Sequence, residues 1–390
     1  MKVGIASLVL AYVLSQFYRA FLAVLTPVLK MELGVTSEDL AAASGTWFLV
    51  FAAMQIPVGI ALDRFGPRWT TALLFGLFGG GGAMLFAFAS GGIEINLAMA
   101  LIGVGCSPVL MASYYLFARL YPPAIFATLT GIVIGVGSLG NIASSLPLAF
   151  AVDLLGWRGT LLALAALTVA VAVAIALLVR DPERINVGAR GSILDLLRLP
   201  ALWLILPLIA VAYLPSAALR GLWIGPYYAD VFGADSAGIG RVSLAMGLAM
   251  VLGSFAYGPM DRLLGTRKWL IFGGSTIGLL SLLGLWAMPL AGGWVTAGLL
   301  VGVGFFGATY GVLIAHGRAF IPSHLTGRGV TLMNLFGIAP VGLGQLITGR
   351  LHAAAPTSPP EAAYTVLFAF YAIALAAGLV IYLFSQDRTD

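Results

Sequence analysis

The sequence has very little charge for its length. Only 9 % of its 390 residues are Asp, Glu, Lys or Arg, whereas 61 % are hydrophobic and the mean hydropathy is +1.03. A soluble domain carries about a quarter charged residues, and a globular core of this size could not bury so much apolar surface while keeping a wettable exterior. The composition therefore excludes a water-soluble protein and predicts one that lies in a lipid bilayer.

Clusters of reactive side chains are also scarce. The single cysteine, Cys106, excludes a framework of internal disulfides. The sequence contains no Walker loop, zinc-ligand cluster or nucleophile triad, and the glycine run at 79–82 is not followed by a lysine. The net charge of +5 lies mainly in loops and does not indicate nucleic-acid binding. We therefore expect no catalytic residue, no metal, no cofactor and no nucleic-acid partner.

Apolar runs of about 20 residues or more, the length of a membrane-crossing helix, fill most of the chain. Helices satisfy their own backbone hydrogen bonds in lipid, whereas a closed barrel would show short alternating strands. The first run contains Arg19 and lacks a small-residue cleavage pattern, so we interpret it as a mature helix rather than a signal peptide. The sequence predicts twelve transmembrane helices, near residues 4–29, 40–62, 69–90, 93–117, 125–150, 158–179, 201–228, 237–260, 268–289, 293–317, 326–349 and 362–384.

Lys and Arg are distributed unevenly between the predicted loops. With the N-terminus inside, the inner loops and tails hold fourteen of them and the outer loops hold four. By the positive-inside rule, this asymmetry predicts that both termini are cytoplasmic. We expect a monomeric, multi-pass protein of the cell inner (plasma) membrane, with the lipid bilayer around its apolar helices.

A polar stretch divides the predicted helices into six and six. Residues 180–198 contain four arginines, two aspartates and one glutamate. We therefore predict an N-terminal six-helix bundle at 1–180, a cytoplasmic linker at 181–199 and a C-terminal six-helix bundle at 200–390. Within the linker, residues 193–199 either form a short amphipathic helix on the inner membrane face or belong to a solvated connection.

Landmarks recur between the halves at a nearly constant offset. The glycines Gly103 and Gly105 recur 199 residues later, as does Arg119, and the pair Asp63-Arg64 recurs 198 residues later. Such matches between polar positions in an apolar sequence indicate an internal repeat. Parallel repeats of six helices are an expected transporter architecture.

The loop after the second predicted helix carries a specific motif. It contains Gly59, then Asp63 and Arg64, then Gly66 and Arg68. This spacing resembles the signature of the major facilitator superfamily, and a degenerate copy follows the eighth predicted helix. The resemblance implies an all-α integral membrane fold with twelve transmembrane helices in two six-helix bundles. It also implies a secondary transporter that is not an enzyme.

The resemblance implies a role for these two loops. Gly59 would let its helix approach a neighbour closely, and Asp63 at a helix end could pair with an arginine or with a facing helix N-terminus. The superfamily resemblance implies that this cluster latches the cytoplasmic side when the carrier opens outward. The alternative is a topological anchor made of loop charges. The candidate latch residues are Gly59, Asp63, Arg64, Gly66, Arg68, Asp261 and Arg262.

Two arginines fall inside predicted spans. Arg19 lies near the centre of the first helix and Arg220 in the outer half of the seventh, and no acidic residue is central in any span. A charge in the hydrocarbon is costly, so it usually faces a cavity or a partner. Two guanidinium groups at one cavity would bind a carboxylate or phosphate, as in the organic-anion and organophosphate carriers that this sequence resembles. Alternatively, each arginine binds backbone carbonyls, helix C-termini or loop acids, or extends to the membrane surface.

Other polar and aromatic side chains lie near the expected pathway. Trp223 and Tyr227 either contact a ligand or form an interfacial aromatic belt. The only histidine in a predicted span, His316, is more typical of a hydrogen-bonded interface than of a proton carrier. Pro215 and Gly221 flank a weak stretch of the seventh helix. The candidate substrate-binding residues are Arg19, Arg220, Gln16, Tyr18, Tyr114, Asn141, Trp223, Tyr227, Tyr310 and Asn334.

These observations predict a secondary active transporter that works by alternating access. Its expected substrate is a small organic anion, either a carboxylate or a phosphorylated metabolite. One alternative is an exporter of amphipathic drugs or metabolites, which the aromatic-rich helices allow. Another is a membrane receptor or assembly factor that uses the same scaffold without transporting.

Overall fold

The computed structural model describes residues 2–121, 123–182, 196–322, 326–356 and 358–388. Over these ranges the chain consists of helices joined by short turns, without a β-strand. The prediction of an all-α protein is therefore confirmed.

Contacts between residues divide the chain into two compact units. Unit 1 comprises Met1–Asn186 and Asp235–Arg241, and unit 2 comprises Val187–Ala234 and Val242–Asp390. The boundaries predicted from the sequence, 1–180, 181–199 and 200–390, stay a prediction. Of the suggested surface helix at 193–199, residues 193–195 lie outside the described part of the chain.

The described residues of unit 1 form eight helices, and in two cases a pair of them makes up one predicted span. They are α1 (Lys2–Phe17), α2 (Leu22–Leu33), α3 (Ser37–Ala53), α4 (Gln55–Phe65), α5 (Pro67–Ala87), α6 (Gly92–Phe117), α7 (Pro123–Ala143) and α8 (Leu146–Leu178). Within this unit α3 packs against α6, α1 against α7, and α5 against both α6 and α8.

Two predicted spans of unit 1 are bent. The chain turns by 52° between α1 and α2 and by 44° between α3 and α4. The second bend has a local cause, because Pro57 offers no N–H to the carbonyl of Ala53, the last residue of α3. The first bend separates the two halves of the predicted helix at 4–29, and Arg19 lies in it.

Helix α8 is interrupted at Gly156, whose φ of 70° and ψ of 161° are not helical. The arm before it continues the fifth predicted span and the arm after it forms the sixth. Beyond the interruption, Trp157 donates a hydrogen bond from Nε1 to Glu32 (2.7 Å), and Arg158 donates to the carbonyl of Ala87 (2.7 Å). These bonds fasten the start of the sixth span to the ends of α2 and α5.

The described residues of unit 2 form six long helices, of which α10 begins with residues of unit 1. They are α9 (Pro200–Phe232), α10 (Ser236–Leu264), α11 (Arg267–Ala287), α12 (Gly293–Arg318), α13 (Thr326–Ala354) and α14 (Ala362–Tyr382). Helix α9 packs against α13 and α14, and α11 packs against α12 and α14. One turn of α9, Leu219–Trp223, is a π-helix, and it contains Arg220.

The described residues contain nine helices that are long and apolar enough to cross a membrane. Each of the two bent pairs in unit 1 passes the same test as one span, which brings the number to eleven. A shorter apolar helix, Gly131–Ala143, is part of α7. The chain is thus a multi-pass membrane protein, and its helices are consistent with the predicted twelve.

Helix α13 is longer than predicted. The expected span ended at residue 349, whereas the helix continues to Ala354 and includes His352. A second histidine therefore lies in a long helix, and the expectation that His316 is the only histidine in a membrane span stays a prediction. A helix can continue beyond the hydrocarbon, so its end is not marked by the first polar residue, Arg350.

Candidate functional site

Arg19 lies in the turn between α1 and α2, against two aromatic rings of α3. Its guanidinium carbon is 4.9 Å from the ring centroid of Phe51 and 5.4 Å from that of Trp47. These two rings stack on each other at 5.1 Å. Among the described residues, the buried Nε of Arg19 has no hydrogen-bond acceptor. The guanidinium thus gains cation–π contacts, while its Nε remains available to an acceptor.

The residues around Arg19 fix the turn from inside unit 1. Tyr18 is fully buried, and its hydroxyl forms a 2.9 Å hydrogen bond with the Thr168 hydroxyl of α8. Gln16 is also buried and donates from Nε2 to the Tyr12 hydroxyl (3.0 Å). Tyr18 therefore fastens the turn to α8, whereas the bond of Gln16 lies within α1. The contact of either side chain with a substrate stays a prediction.

Arg220 lies in the π-helical turn of α9 and is only 4 % exposed. Its guanidinium lies against the backbone of α10 at Gly247. A Cβ atom at this glycine would be 3.0 Å from Nε and 3.3 Å from Nη2 of Arg220. A Cβ at position 247 would therefore push the guanidinium away by a few tenths of an ångström, so glycine allows the close approach of Arg220.

Helix α13 contacts the same turn of α9. Gln345 donates from Nε2 to the carbonyl of Ala218 (3.3 Å), immediately before the turn. Trp223, at the end of the turn, donates from Nε1 to the Thr348 hydroxyl (3.0 Å). The wide turn is therefore held by named side chains, and π-helical turns often occur at functional sites.

Trp223 and Tyr227 are buried within unit 2, with exposures of 0 % and 2 %. The Tyr227 hydroxyl donates to the carbonyl of Pro289, and its ring packs against Tyr364 and Phe368. Neither ring is displayed to lipid headgroups, as the alternative of an aromatic belt would require. Their contact with a substrate stays a prediction.

The remaining predicted binding residues fall into two groups. In unit 2, Tyr310 of α12 donates from its hydroxyl to Oδ1 of Asn334 on α13 (3.2 Å), so the structure brings this pair together. In unit 1, Tyr114 of α6 and Asn141 of α7 are both partly buried. Their positions near a substrate stay predictions.

The motif loop of unit 1 is fastened to the end of α8. Gly66 has a φ of +86°, and a Cβ there would lie 2.6 Å from Oδ1 of Asp181. The backbone N–H of Arg68 donates to the same oxygen (2.8 Å), and its Nε donates to the carbonyl of Ala176 (2.5 Å). Glycine at 66 and Arg68 thus bind the N-terminus of α5 to the chain that follows α8.

Two other residues of the motif, Asp63 and Arg64, have exposed side chains in unit 1. A Cβ at Gly59 would meet nothing within 4 Å, so the close helix approach predicted for Gly59 is not found among the described residues. The latch function of Asp63 stays a prediction.

In unit 2, as in unit 1, a carboxylate that follows the last helix binds the start of the third spanning helix, here α11. The Asp387 carboxylate, beyond α14, accepts hydrogen bonds from the Thr266 hydroxyl and from the backbone N–H groups of Arg267 (3.2 Å) and Lys268 (3.0 Å). Arg267 also pairs with Asp261 at 3.2 Å. The side chain of Arg262 lies outside the described part of the chain.

These contacts change the acidity of Asp387. Partial burial acts to raise its pKa, but the hydrogen bonds from Thr266, Lys268 and Arg267 and the nearby His316 outweigh burial. The pKa of Asp387 therefore lies below its ordinary value. The carboxylate is the form that caps the N-terminus of α11.

His316 belongs to the same cluster at the end of α12. Its Nε2 donates to the carbonyl of Gln386 (2.9 Å), and its Nδ1 lies 2.7 Å from the Tyr382 hydroxyl. A carbonyl oxygen can only accept, so Nε2 carries a proton and Nδ1 accepts from Tyr382 in the neutral ring. The ring is fully buried, which agrees with a hydrogen-bonded interface residue.

The sequence matches the model of the Major Facilitator Superfamily over residues 8–344. The chain belongs to this superfamily.

Two bacterial relatives are each 24 % identical to it over part of the chain. The "Uncharacterized transporter YybO" of Bacillus subtilis (strain 168) aligns over 172 residues, 44 % of this chain and 39 % of the relative. The "Probable sulfoacetate transporter SauU" of Cupriavidus necator (strain H16) aligns over 159 residues, 41 % of this chain and 37 % of the relative. The chain thus matches well under half of either relative's length.

Solved structures confirm the major facilitator fold. A bacterial homologue of the human lysosomal transporter Spinster superposes with a TM-score of 0.75 at 17 % identity, over 98 % of this chain and 96 % of that one. A D-xylose–proton symporter gives a TM-score of 0.78 at 14 % identity over the same shares. At these identities the likeness establishes the fold and leaves the substrate open. As a superfamily member, the protein belongs to a family of transporters rather than of enzymes.

Sequence reasoning on this superfamily member missed several residues of the site. Gly247 gave no signal because a glycine in an apolar helix is common in membrane proteins. Trp47 and Phe51 are spaced by one helical turn, yet nothing in the sequence assigns them to Arg19 rather than to lipid. Asp181 and Asp387 did offer a signal, since each follows the last helix of its half by a few residues.

Proposed function

We propose that this protein is a secondary active transporter that works by alternating access and moves a small organic anion, either a carboxylate or a phosphorylated metabolite. One observation carries the proposal. Each unit holds an arginine at an irregular turn of its first membrane-spanning helix: Arg19 at the 52° break between α1 and α2, and Arg220 in the π-helical turn of α9.

Irregular turns inside spanning helices have a recognised use in transporters. Discontinuous helices expose backbone groups and side chains near the bilayer midplane, where substrates bind. A charge at such a turn costs about 3 kcal/mol on insertion scales, so it persists where it has a function or a partner. The presence of one such arginine in each half supports an anion-binding role for both arginines.

The surroundings of Arg19 favour an anionic ligand. Phe51 and Trp47 lie against the guanidinium, and the Nε of Arg19 has no acceptor among the described residues. A guanidinium can donate from its edge to two oxygens of one carboxylate or phosphate. The partial relative described as a probable sulfoacetate transporter also supports an anionic substrate.

A thermal-stability screen of the purified protein tests the proposal. Succinate, acetate, glycerol 3-phosphate and sulfoacetate are the anions, and xylose and a quaternary ammonium compound are the controls. A ligand present at 100 times its dissociation constant stabilises the folded state by about 2.7 kcal/mol. We expect at least one anion to raise the melting temperature and the controls to leave it unchanged.

Substitutions of Arg19 and Arg220 test whether these two side chains bind the anion. Arg19→Lys and Arg220→Lys keep the charge but lose the planar fork, so the anion should bind about ten- to a hundredfold more weakly. Arg241→Lys, at an exposed arginine, is the matched control and should bind as the wild type does. Stabilisation by the controls alone, or full affinity in both arginine variants, would contradict the proposal.

A further inference from the structure

His352 lies at the outer part of the α13 face that holds the Arg220 turn. Its imidazole ring is 5.2 Å from the Trp223 ring, at an interplanar angle of 31°, and 5.1 Å from the Tyr364 ring of α14. The side chain is partly exposed, in contrast to the two rings that it contacts. A titratable ring thus reaches the surface of unit 2 while it lies against the buried Trp223 and Tyr364.

The spacing along α13 places His352 in one row with the residues that hold the π-helical turn. Gln345, Thr348 and His352 follow one another at intervals of three and four residues, so they share a helix face. Gln345 binds the carbonyl of Ala218, Thr348 binds Trp223, and His352 lies against the ring of Trp223. A change at His352 therefore acts directly on the residue that ends the Arg220 turn.

Charged and titratable groups surround this cluster on each helix packed against it. Tyr364 donates from its hydroxyl to Oδ2 of Asp230 (2.5 Å), so a carboxylate lies beyond the ring that His352 contacts. The others are Arg220 and Tyr227 on α9, Arg350 on α13, and Glu361 at the start of α14. An indole face and a nearby carboxylate favour a protonated imidazole, whereas the positive charge of Arg220, three residues from Trp223, opposes it.

We propose that His352 is the proton-binding residue of this transporter and that the anion moves together with a proton. The imidazole takes up one proton from solution and becomes an imidazolium between Trp223 and Tyr364. An anion at Arg220 offsets the charge that opposes this protonation, so the bound anion and the bound proton favour each other. Coupling between binding sites is reciprocal, so protonation must strengthen anion binding by the same factor.

This inference rests on the proposed anion site, and the experiment separates the two. Binding of sulfoacetate, succinate and glycerol 3-phosphate to purified protein is measured by calorimetry at about pH 6 and about pH 8.5. We expect wild-type protein to bind its best anion more tightly at the lower pH, by a factor within the range of about 5 to 150 that is usual for coupled sites. His352→Gln should lose this difference, and His316→Gln should keep it.

The same anion is used with the wild type, His352→Gln and His316→Gln. Any change in the protonation of the anion itself therefore affects all three proteins equally. If none of the three anions binds the wild type at either pH, the proposed function itself fails. If an anion binds and His352→Gln shows the wild-type pH dependence, the anion site stands and the role of His352 is refuted.

A second measurement uses the wild-type protein and does not depend on the folding of a variant. The chain has three histidines, so the resonances of 13Cε1-labelled histidine can be assigned with the two glutamine variants. Adding the bound anion should move the midpoint of the His352 titration to higher pH. An unchanged midpoint would overturn the proposal.

Discussion

The contact between Arg220 and Gly247 joins two helices of unit 2. The guanidinium lies on backbone that has no side chain, and the nearest possible Cβ position is 3.0 Å from Nε. Such a distance is well inside ordinary contact, so one methyl group would compete with the guanidinium for the same space. Gly247 is therefore a positioning residue for Arg220.

We predict that Gly247→Ala shifts the guanidinium by a few tenths of an ångström. Binding of the anion should weaken, but by less than the factor of about 10 to 100 that loss of one whole charge-assisted hydrogen bond would cost. The fold should survive, because alanine is favoured over glycine in a helix by up to about 1 kcal/mol. Isothermal calorimetry measures affinity, and thermal melting checks the fold. Gly258→Ala on the same helix is the matched control, since a Cβ there meets nothing within 4 Å. Equal affinity of the two variants would show that Arg220 does not bind the anion from this position.

At the scale of elements, the same contact occurs in both units. An aspartate that follows the sixth spanning helix accepts hydrogen bonds from the N-terminus of the third. The N–H of Arg68 at the start of α5 binds Asp181, and the N–H groups of Arg267 and Lys268 at the start of α11 bind Asp387. A negative charge at a helix N-terminus satisfies donors that have no partner within the helix and interacts favourably with its dipole. Each aspartate therefore joins the segment after the sixth spanning helix of its unit to the start of the third.

The cap at Asp387 predicts a pH dependence with a definite sign. The pKa of Asp387 is lowered in the folded protein, so its contribution to stability is present above the ordinary aspartate pKa of about 4 and is lost as the pH falls through the lowered value. Asp387→Ala should cost about 1 kcal/mol at pH 7, as loss of a helix cap does, and almost nothing at about pH 2. Unfolding by denaturing detergent measures both. Asp153→Ala, at an exposed aspartate, is the control, and a cost that does not change with pH would contradict the prediction.

The helices themselves were largely predictable, because apolar length is a strong signal in a membrane protein. The breaks were less so. The turn around Arg19 lies in an unbroken apolar run without proline or glycine at the break, so the sequence predicted one continuous helix at 4–29. The true end of α13 was also missed, since hydropathy marks the edge of the hydrocarbon rather than the end of a helix. His352 was overlooked for that reason.

For the candidate site, the sequence identified the charged residues and missed their environment. Arg19 and Arg220 were evident because charge is rare in these spans. Their partners Trp47, Phe51 and Gly247 are apolar or small residues in an apolar background, so only tertiary contacts distinguish them from residues that face lipid. The motif Gly59–Arg68 identified the family, whereas the fastening of Arg68 to Asp181 spans 113 residues of sequence.

At the scale of the whole molecule, the distribution of Lys and Arg predicts which side of the membrane each loop faces. We expect a cysteine introduced at Gly188, in the predicted linker outside the described residues, to react with a membrane-impermeant maleimide only from the cytoplasm. A cysteine at Ser358, between α13 and α14, should react only from outside. Labelling in intact and opened cells measures both. The native Cys106 is buried and gives little background. Labelling of Gly188→Cys in intact cells would overturn the predicted orientation.

The paired caps also constrain the evolutionary history of the chain. Asp181 lies three residues beyond the end of α8, and Asp387 lies five residues beyond the end of α14, yet both bind the same element of their own repeat. If both aspartates descend from one ancestral residue, the duplicated unit extended past its sixth helix to that aspartate. In that case the two copies were joined at a point after Asp181.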